Sequence, residues 1–212
     1  MKIRVNKKVI GHFLEYSWVF IIAFGFFSYT VFYYPIHKIN EYKSYEKIVF
    51  FSEAGFFKEK DFEDKILERF QDEILQVTVY DYSSKEPYLG TLYESYGARS
   101  DFLILSEKNL LTVDKFISDN FINLDDNFLK SNDNNYDYFT YDTLKYGLKV
   151  YDYENSDYNE KYKFLDWIEF DGNDNYYLLA NKKSVNFNLN EEEKTTDNGY
   201  QVFDYLMERY GK

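Results

Sequence analysis

Cysteine is absent from these 212 residues, and histidine, proline and methionine occur only twice each. The lack of cysteine excludes disulfides, thiolate nucleophiles, Cys-ligated zinc and lipid attachment through sulfur. The two histidines, His12 and His37, flank a long apolar run. If that run crosses a bilayer they lie on opposite sides of it. The rest of the chain then has no histidine for a Ser-His-Asp triad or a His-rich metal site. No glycine-rich phosphate loop of either common spacing is present. Basic charge is also in short supply, with 25 Lys and Arg against 37 Asp and Glu. Beyond residue 35 the balance is 21 to 36, a net charge of −15. Such a surface repels nucleic acid and anionic headgroups.

What the chain does have is apolar and aromatic side chains. Hydrophobic residues make up 45 % and aromatics 22 %, enough for a packed core. The mean hydropathy of −0.58 does not fit a chain that crosses a membrane many times. One run stands apart: SWVFIIAFGFFSYTVFYY, starting at Ser17 and ending at Tyr34, carries no charge. As a helix its 18 residues would reach about 27 Å, close to the ~30 Å hydrocarbon layer. Trp18, Tyr33 and Tyr34 sit near its ends, where amphipathic rings favour the headgroup layer, and Pro35 follows. A removable signal would have a shorter apolar region and a small-residue cleavage site. The expectation is a single-pass anchor in the lipid bilayer. Lys2, Arg4, Lys7 and Lys8 precede the run, which puts residues 1–16 in the cytoplasm. A stalk at 36–46 and an extracytoplasmic domain at 47–212 follow.

The remainder alternates strand and helix. "IVFFS" at 48–52 is a continuous apolar run, as in a strand covered on both faces. Phe62, Ile66, Phe70 and Ile74 recur every fourth residue, a helical stripe. Leu75, Val77 and Val79 alternate as in a strand. Leu89, Leu92, Tyr93 and Tyr96 mark a second helix between Pro87 and Gly97. "DFLILS" at 101–106 is a third covered strand, with a short helix expected over 112–121. Residues 125–142 read as a polar loop. Strands are expected at 144–150 and 176–181, and a closing helix carries Val202, Phe203, Leu206, Met207 and Tyr210. This order predicts an α/β domain of three layers around a mostly parallel sheet.

Candidate chemistry is sparse. Asp133, Asn135 and Asp137, and again Asp171, Asn173 and Asn175, have the alternating oxygen spacing of a calcium loop. Neither run has the glycine at loop position six or the glutamate at twelve that an EF-hand requires. Turn formation accounts for them better, and no metal or other cofactor is expected. Carboxylate pairs are so frequent in this acidic chain that chance juxtaposition outweighs a glycosidase-like pair. Tyr80, Tyr82, Tyr88, Tyr93 and Tyr96 could line a groove, although covering the sheet is the plainer role.

The succession "KIVFFSEAGFF", helix, "LQVTVYDYS", helix, "SDFLILSEKNL" resembles the first lobe of the extracellular solute-binding proteins of bacterial transporters. "YGLKVYD", "YYLLANKKS" and the closing "GYQVFDYLMERYGK" are similar to that family's return to its first lobe. The resemblance implies a periplasmic-binding-protein-like α/β fold from which the second lobe is missing. In open α/β sheets ligands meet the carboxyl ends of strands. Those ends here carry Ser52, Glu53 and Gly55, then Tyr82 and Ser83, then Ser106. The expected function is a non-enzymatic, membrane-anchored accessory or interaction domain beside a transporter or envelope complex. The alternative is a small-solute receptor with a reduced, single-lobe site.

Overall fold

The computed structural model describes residues 7–33, 41–83, 85–112, 117–124, 136–170, 173–189 and 195–210. The chain divides into two units, Met1–Tyr42 and Lys43–Lys212.

In the first unit, helix α1 (Lys7–Ser28) runs on into a π-helical turn at Tyr29–Tyr33. Ten large apolar side chains between Trp18 and Val31 are 44–74 % exposed. Phe20, Ile21 and Ile22 are consecutive, so they point about 100° apart around the helix. All three are exposed, as are Phe24, Phe26 and Phe27. Among the described residues no helix is long and apolar enough to cross a membrane. The far end of the expected span, Tyr34 and Pro35, lies outside the described residues, as does His37.

The second unit is built on a six-stranded sheet in the order β3-β1-β4-β8-β6-β5. Its strands are β1 (Lys47–Ser52), β3 (Gln76–Asp81), β4 (Phe102–Ser106), β5 (Tyr138–Tyr141), β6 (Leu144–Tyr151) and β8 (Tyr176–Ala180). A short β2 (Gly55–Phe57) pairs antiparallel with β7 (Ile168–Phe170) in a separate two-stranded ribbon. The helices are α2 (Glu59–Arg69), α3 (Leu89–Ser95), α4 (Glu107–Thr112), α5 (Ile117–Asn120), α6 (Ser156–Lys161) and α7 (Asn198–Tyr210).

Pleating sends alternate residues to opposite faces. Phe102 and Ile104 of β4, with Tyr176, Leu178 and Ala180 of β8, join one core cluster. That cluster also holds Phe62 and Ile66 of α2 and Val202, Phe203 and Leu206 of α7. Leu103, Leu105, Tyr177 and Leu179 join the other cluster, with Leu110 of α4, Ile117 of α5 and partly buried Leu89, Leu92 and Tyr93 of α3. The sheet therefore carries helices on both faces, in three layers. Strands β1 and β4 are buried almost throughout because both faces are covered.

The expectation of a mostly parallel sheet is corrected. β1 pairs parallel with β3 and β4, whereas the β4–β8, β8–β6 and β6–β5 pairs are all antiparallel. The expected loop at 125–142 is corrected as well. Residues 125–135 lie outside the described residues, but Tyr138–Tyr141 is strand β5. It joins β6 through the two residues Asp142 and Thr143, a connection too short for anything but an antiparallel pair. Both turn residues have positive φ, 47° and 69°, the primed turn that matches strand twist. Thr143 is β-branched and ill suited to that region. Thr143→Gly should therefore raise the unfolding free energy by roughly 1 kcal/mol, read from a denaturant midpoint.

Two helix expectations are also adjusted. The stripe continuing to Ile74 stops as a helix at Arg69. Ile74 is buried after a turn in which its N–H bonds the Phe70 carbonyl at 2.8 Å. The single helix expected over 112–121 becomes α4 and α5, with 113–116 outside the described residues.

A buried polar cluster ties down the amino-terminal edge of the sheet. Asp101, just before β4, accepts from the Val49 N–H (2.6 Å) and Asn186 Nδ2 (2.9 Å), and meets the Ser184 hydroxyl in a short hydrogen bond. Asn186 Nδ2 also reaches the Lys47 carbonyl at 2.8 Å. Burial pushes the Asp101 carboxyl up to about 6, against the opposing pull of Ser184, Asn186 and the Val49 N–H. Gly199, at the start of α7, lies tight against the same segment. A Cβ there would sit 2.5 Å from Phe187 Cε1 and 2.7 Å from the Asn186 carbonyl oxygen. The backbone oxygen cannot rotate away, so Gly199→Ala should cost about 1–3 kcal/mol in thermal or denaturant unfolding.

Candidate functional site

β1 sits between its two parallel partners. The chain leaves it toward β3 through α2, then returns past it to β4 through α3. α2 packs on one face and α3 on the other, as crossovers of one hand in opposite directions require. The carboxyl ends of β1 and β4 thus flank a switch in strand order, the usual place for a crevice.

A cavity of about 230 Å³ lies there, lined by Glu53, Leu89, Gly90, Tyr93, Leu105, Asn109 and Thr112. Glu53 and Leu105 are buried, while Gly90 and Thr112 are exposed, so the former pair forms the floor and the latter the mouth. Apart from Glu53, Asn109 and the hydroxyls of Tyr93 and Thr112, the lining side chains offer aliphatic and ring carbon.

Glu53 follows β1 directly, and its N–H bonds the Ile104 carbonyl at 2.9 Å. One carboxylate oxygen, Oε2, accepts from Asn109 Nδ2 (2.8 Å), the Ser106 N–H (3.1 Å) and the Ser106 hydroxyl (3.2 Å). The other, Oε1, accepts no hydrogen bond among the described residues. The side chain is 3 % exposed. Burial pushes its carboxyl above the usual range, the donors from Asn109 and Ser106 oppose that push, and the negative charge of Asp174 adds to it. The Tyr93 hydroxyl is raised in turn, by burial first and then by the Glu53 charge.

Of the residues expected at the strand ends, Glu53 lines the cavity and Ser106 is hydrogen-bonded to it, whereas Ser52 is not among the lining residues. Ser52 is fully buried, and its hydroxyl accepts from the Ala54 N–H at 3.0 Å, which shapes the turn after β1. Its carbonyl accepts from the Tyr82 N–H at 2.9 Å. Tyr82 and Ser83 flank this turn without lining the cavity. The Tyr82 ring packs 5.8 Å from Phe51, and Ser83 forms an antiparallel bridge with Ala54. Gly55 lies outside the lining too. With φ at 91° it turns the chain into β2.

Asn109, Leu89, Gly90, Leu105 and Thr112 were not among the expected site residues. One signal for Asn109 is present in "SEKN": a residue three positions after Ser106 returns to it within one helical turn. The Ser106 hydroxyl indeed accepts from the Asn109 N–H at 3.4 Å. Among the tyrosines, Tyr93 lines the cavity, Tyr80 and Tyr96 pack at 4.5 Å, and Tyr88 is exposed.

A second hollow of about 640 Å³ is lined by Tyr151, Ser156, Asn159, Glu160, Lys163, Leu165 and Asp166. Its charged residues are exposed and of both signs, so it lacks the buried floor of the first. Asp133, Asn135 and Asp171 of the two candidate calcium runs lie outside the described residues. Asp137 is within 3.6 Å of Lys149 Nζ. Among the described residues no group of three His, Asp or Glu is placed to hold a metal ion.

No family model matches the chain, and neither the curated proteins nor the solved structures contain a match.

Proposed function

We propose that residues 43–212 bind a small solute in the Glu53 cavity, without turning it over, and that the apolar run at 17–34 anchors this domain in a membrane. The observation that carries the binding reading is the buried carboxylate at a strand-order switch. Three donors hold one of its oxygens, while the other accepts no hydrogen bond among the described residues. Its parallel half, β3-β1-β4, is also what a lobe of a solute-binding protein would supply. The size argues for a compact ligand, because the volume lies below the ~300 Å³ at which drug-sized pockets begin. Support for the anchor comes from apolar side chains exposed around α1, which lipid would cover. Those side chains also favour a second reading, an accessory module whose helix packs against a transporter or envelope protein.

Thermal unfolding of the full-length protein against amino acids, sugars, short peptides, amines and organic acids tests the binding reading. A genuine ligand at a hundredfold excess over its Kd adds about 2.7 kcal/mol. For a chain of this size that is a rise of roughly 5–10 °C in Tm. No shift with any class would remove the receptor reading. For the anchor, alkaline carbonate should leave the chain in the membrane pellet, and release into the supernatant would contradict it.

A further inference from the structure

The lining of the cavity sets narrow terms for what can fill it. Its floor carries a carboxylate that is 3 % exposed. Among the described residues no lysine, arginine or histidine lines the cavity or forms an ion pair with Glu53. A buried charge without a counter-charge is costly. The three donors that lessen the cost are neutral, and all of them converge on Oε2. Among the described residues Oε1 is the remaining acceptor, and Leu89, Leu105 and the Tyr93 ring line the same cavity.

We infer that the cavity takes a small organic cation, a primary or secondary amine on a compact apolar body, with the ammonium on Glu53 Oε1; this rests on reading the cavity as a solute site. The ammonium supplies a counter-charge that the described residues do not, and its N–H groups meet Oε1. The apolar body replaces water against Leu89, Tyr93 and Leu105. A carboxylate ligand would face Glu53 with like charge, and Asp174, whose charge also acts on Glu53, would add to the repulsion. A sugar would leave most of its hydroxyls against carbon. Burial disfavours the ionised form of the Glu53 carboxyl, and a bound ammonium would oppose that push. Among the described residues, Asn109, Ser106 and Asp174 act on that carboxyl, its charge acts on the Tyr93 hydroxyl, and none of these groups is a cation.

Titration calorimetry on the full-length protein in detergent tests the assignment with four probes: isopentylamine, phenethylamine, isopentanol and phenethyl alcohol. Each alcohol replaces only the ammonium of its amine. The amines should bind at least about tenfold more tightly than the alcohols, and Glu53→Gln should abolish that difference. Should Glu53→Gln fail to fold, Thr112→Lys provides the second variant. Thr112 is exposed at the end of α4, where a cation is tolerated, and its ammonium would compete at the mouth and weaken amine binding. Alcohols binding as tightly as amines would overturn the cation assignment and leave the solute cavity standing. If none of the four binds at about 10 mM, the assignment is likewise overturned. A neutral or anionic solute that raises Tm in the wider screen would then preserve the cavity's role, and the absence of any such solute would remove it.

Discussion

Phe50→Ala should lower the unfolding free energy by about 3–5 kcal/mol. Phe50 is fully buried near the middle of β1, which has parallel partners on both sides. Its ring stacks on Phe102 at 5.0 Å and meets Phe62 edge-on at 5.0 Å. Phe62 in turn stacks on Trp167 at 4.3 Å, and Trp167 stacks on Tyr210 at 5.2 Å. Removing Phe50 opens a void where sheet, α2 and α7 meet, and close-packed rings cannot collapse into it without leaving their own contacts. Urea unfolding followed by circular dichroism reads the loss. Phe50→Leu, which refills most of the space, should cost much less. Equal costs for the two variants would mean that the ring stack does not hold these layers together.

The second large effect is a pH dependence centred on Asp101. Its folded-state value of about 6 stands above the ordinary 3.8. An acid raised by folding holds its proton in the native state at pH values where the unfolded chain has released it. Stability from this group is therefore greatest below about pH 4 and is lost as pH rises through 6. At 1.36 kcal/mol per pH unit the loss comes to about 3 kcal/mol. Other carboxylates titrate in the same range, so the clean measurement is a difference. The stability of the native protein relative to Asp101→Asn should fall by about 2.5 kcal/mol between pH 4 and pH 7.5. Parallel pH profiles for the two proteins would show that Asp101 is not held in its protonated form by the fold.

The sequence pattern made part of this architecture readable, for identifiable reasons. β1, β4 and β8 appear as unbroken apolar runs because both of their faces are covered. The helical stripe Val202, Phe203, Leu206 and Tyr210 is the buried face of α7. Strand direction is not encoded in such runs, since a strand buried on both faces reads the same in either sense. That is why antiparallel β8 could pass as a parallel strand. The β5–β6 hairpin was hidden because Asp-Thr is not the Asn-Gly or Asp-Gly that usually marks a primed turn. The pattern also could not reveal the polar cluster around Asp101, because an acid opening the strand run "DFLILS" carries no sign of its partners. Its partners Ser184 and Asn186 lie more than eighty residues away in the chain.

The site divided along the same line. Local grammar located the ends of β1 and β4, so Ser52, Glu53 and Ser106 could be named. The cavity walls come from α3 and α4, whose contribution depends on how they lean over the sheet. Leu89 and Leu105 read simply as core, and Asn109 fell between the expected strand at 101–106 and the expected helix over 112–121.

The most direct test is a residue-resolved map of solute binding by NMR on the full-length protein in detergent micelles, with phenethylamine as the probe. Binding at the Glu53 cavity predicts shifts of the Asn109 side-chain amide, the Ser106 N–H and the Leu89 methyl groups. The Asp101–Asn186 cluster at the opposite edge of the sheet should stay unchanged. Shifts confined to the hollow around Tyr151, Asn159 and Lys163, or spread along α1 alone, would contradict it.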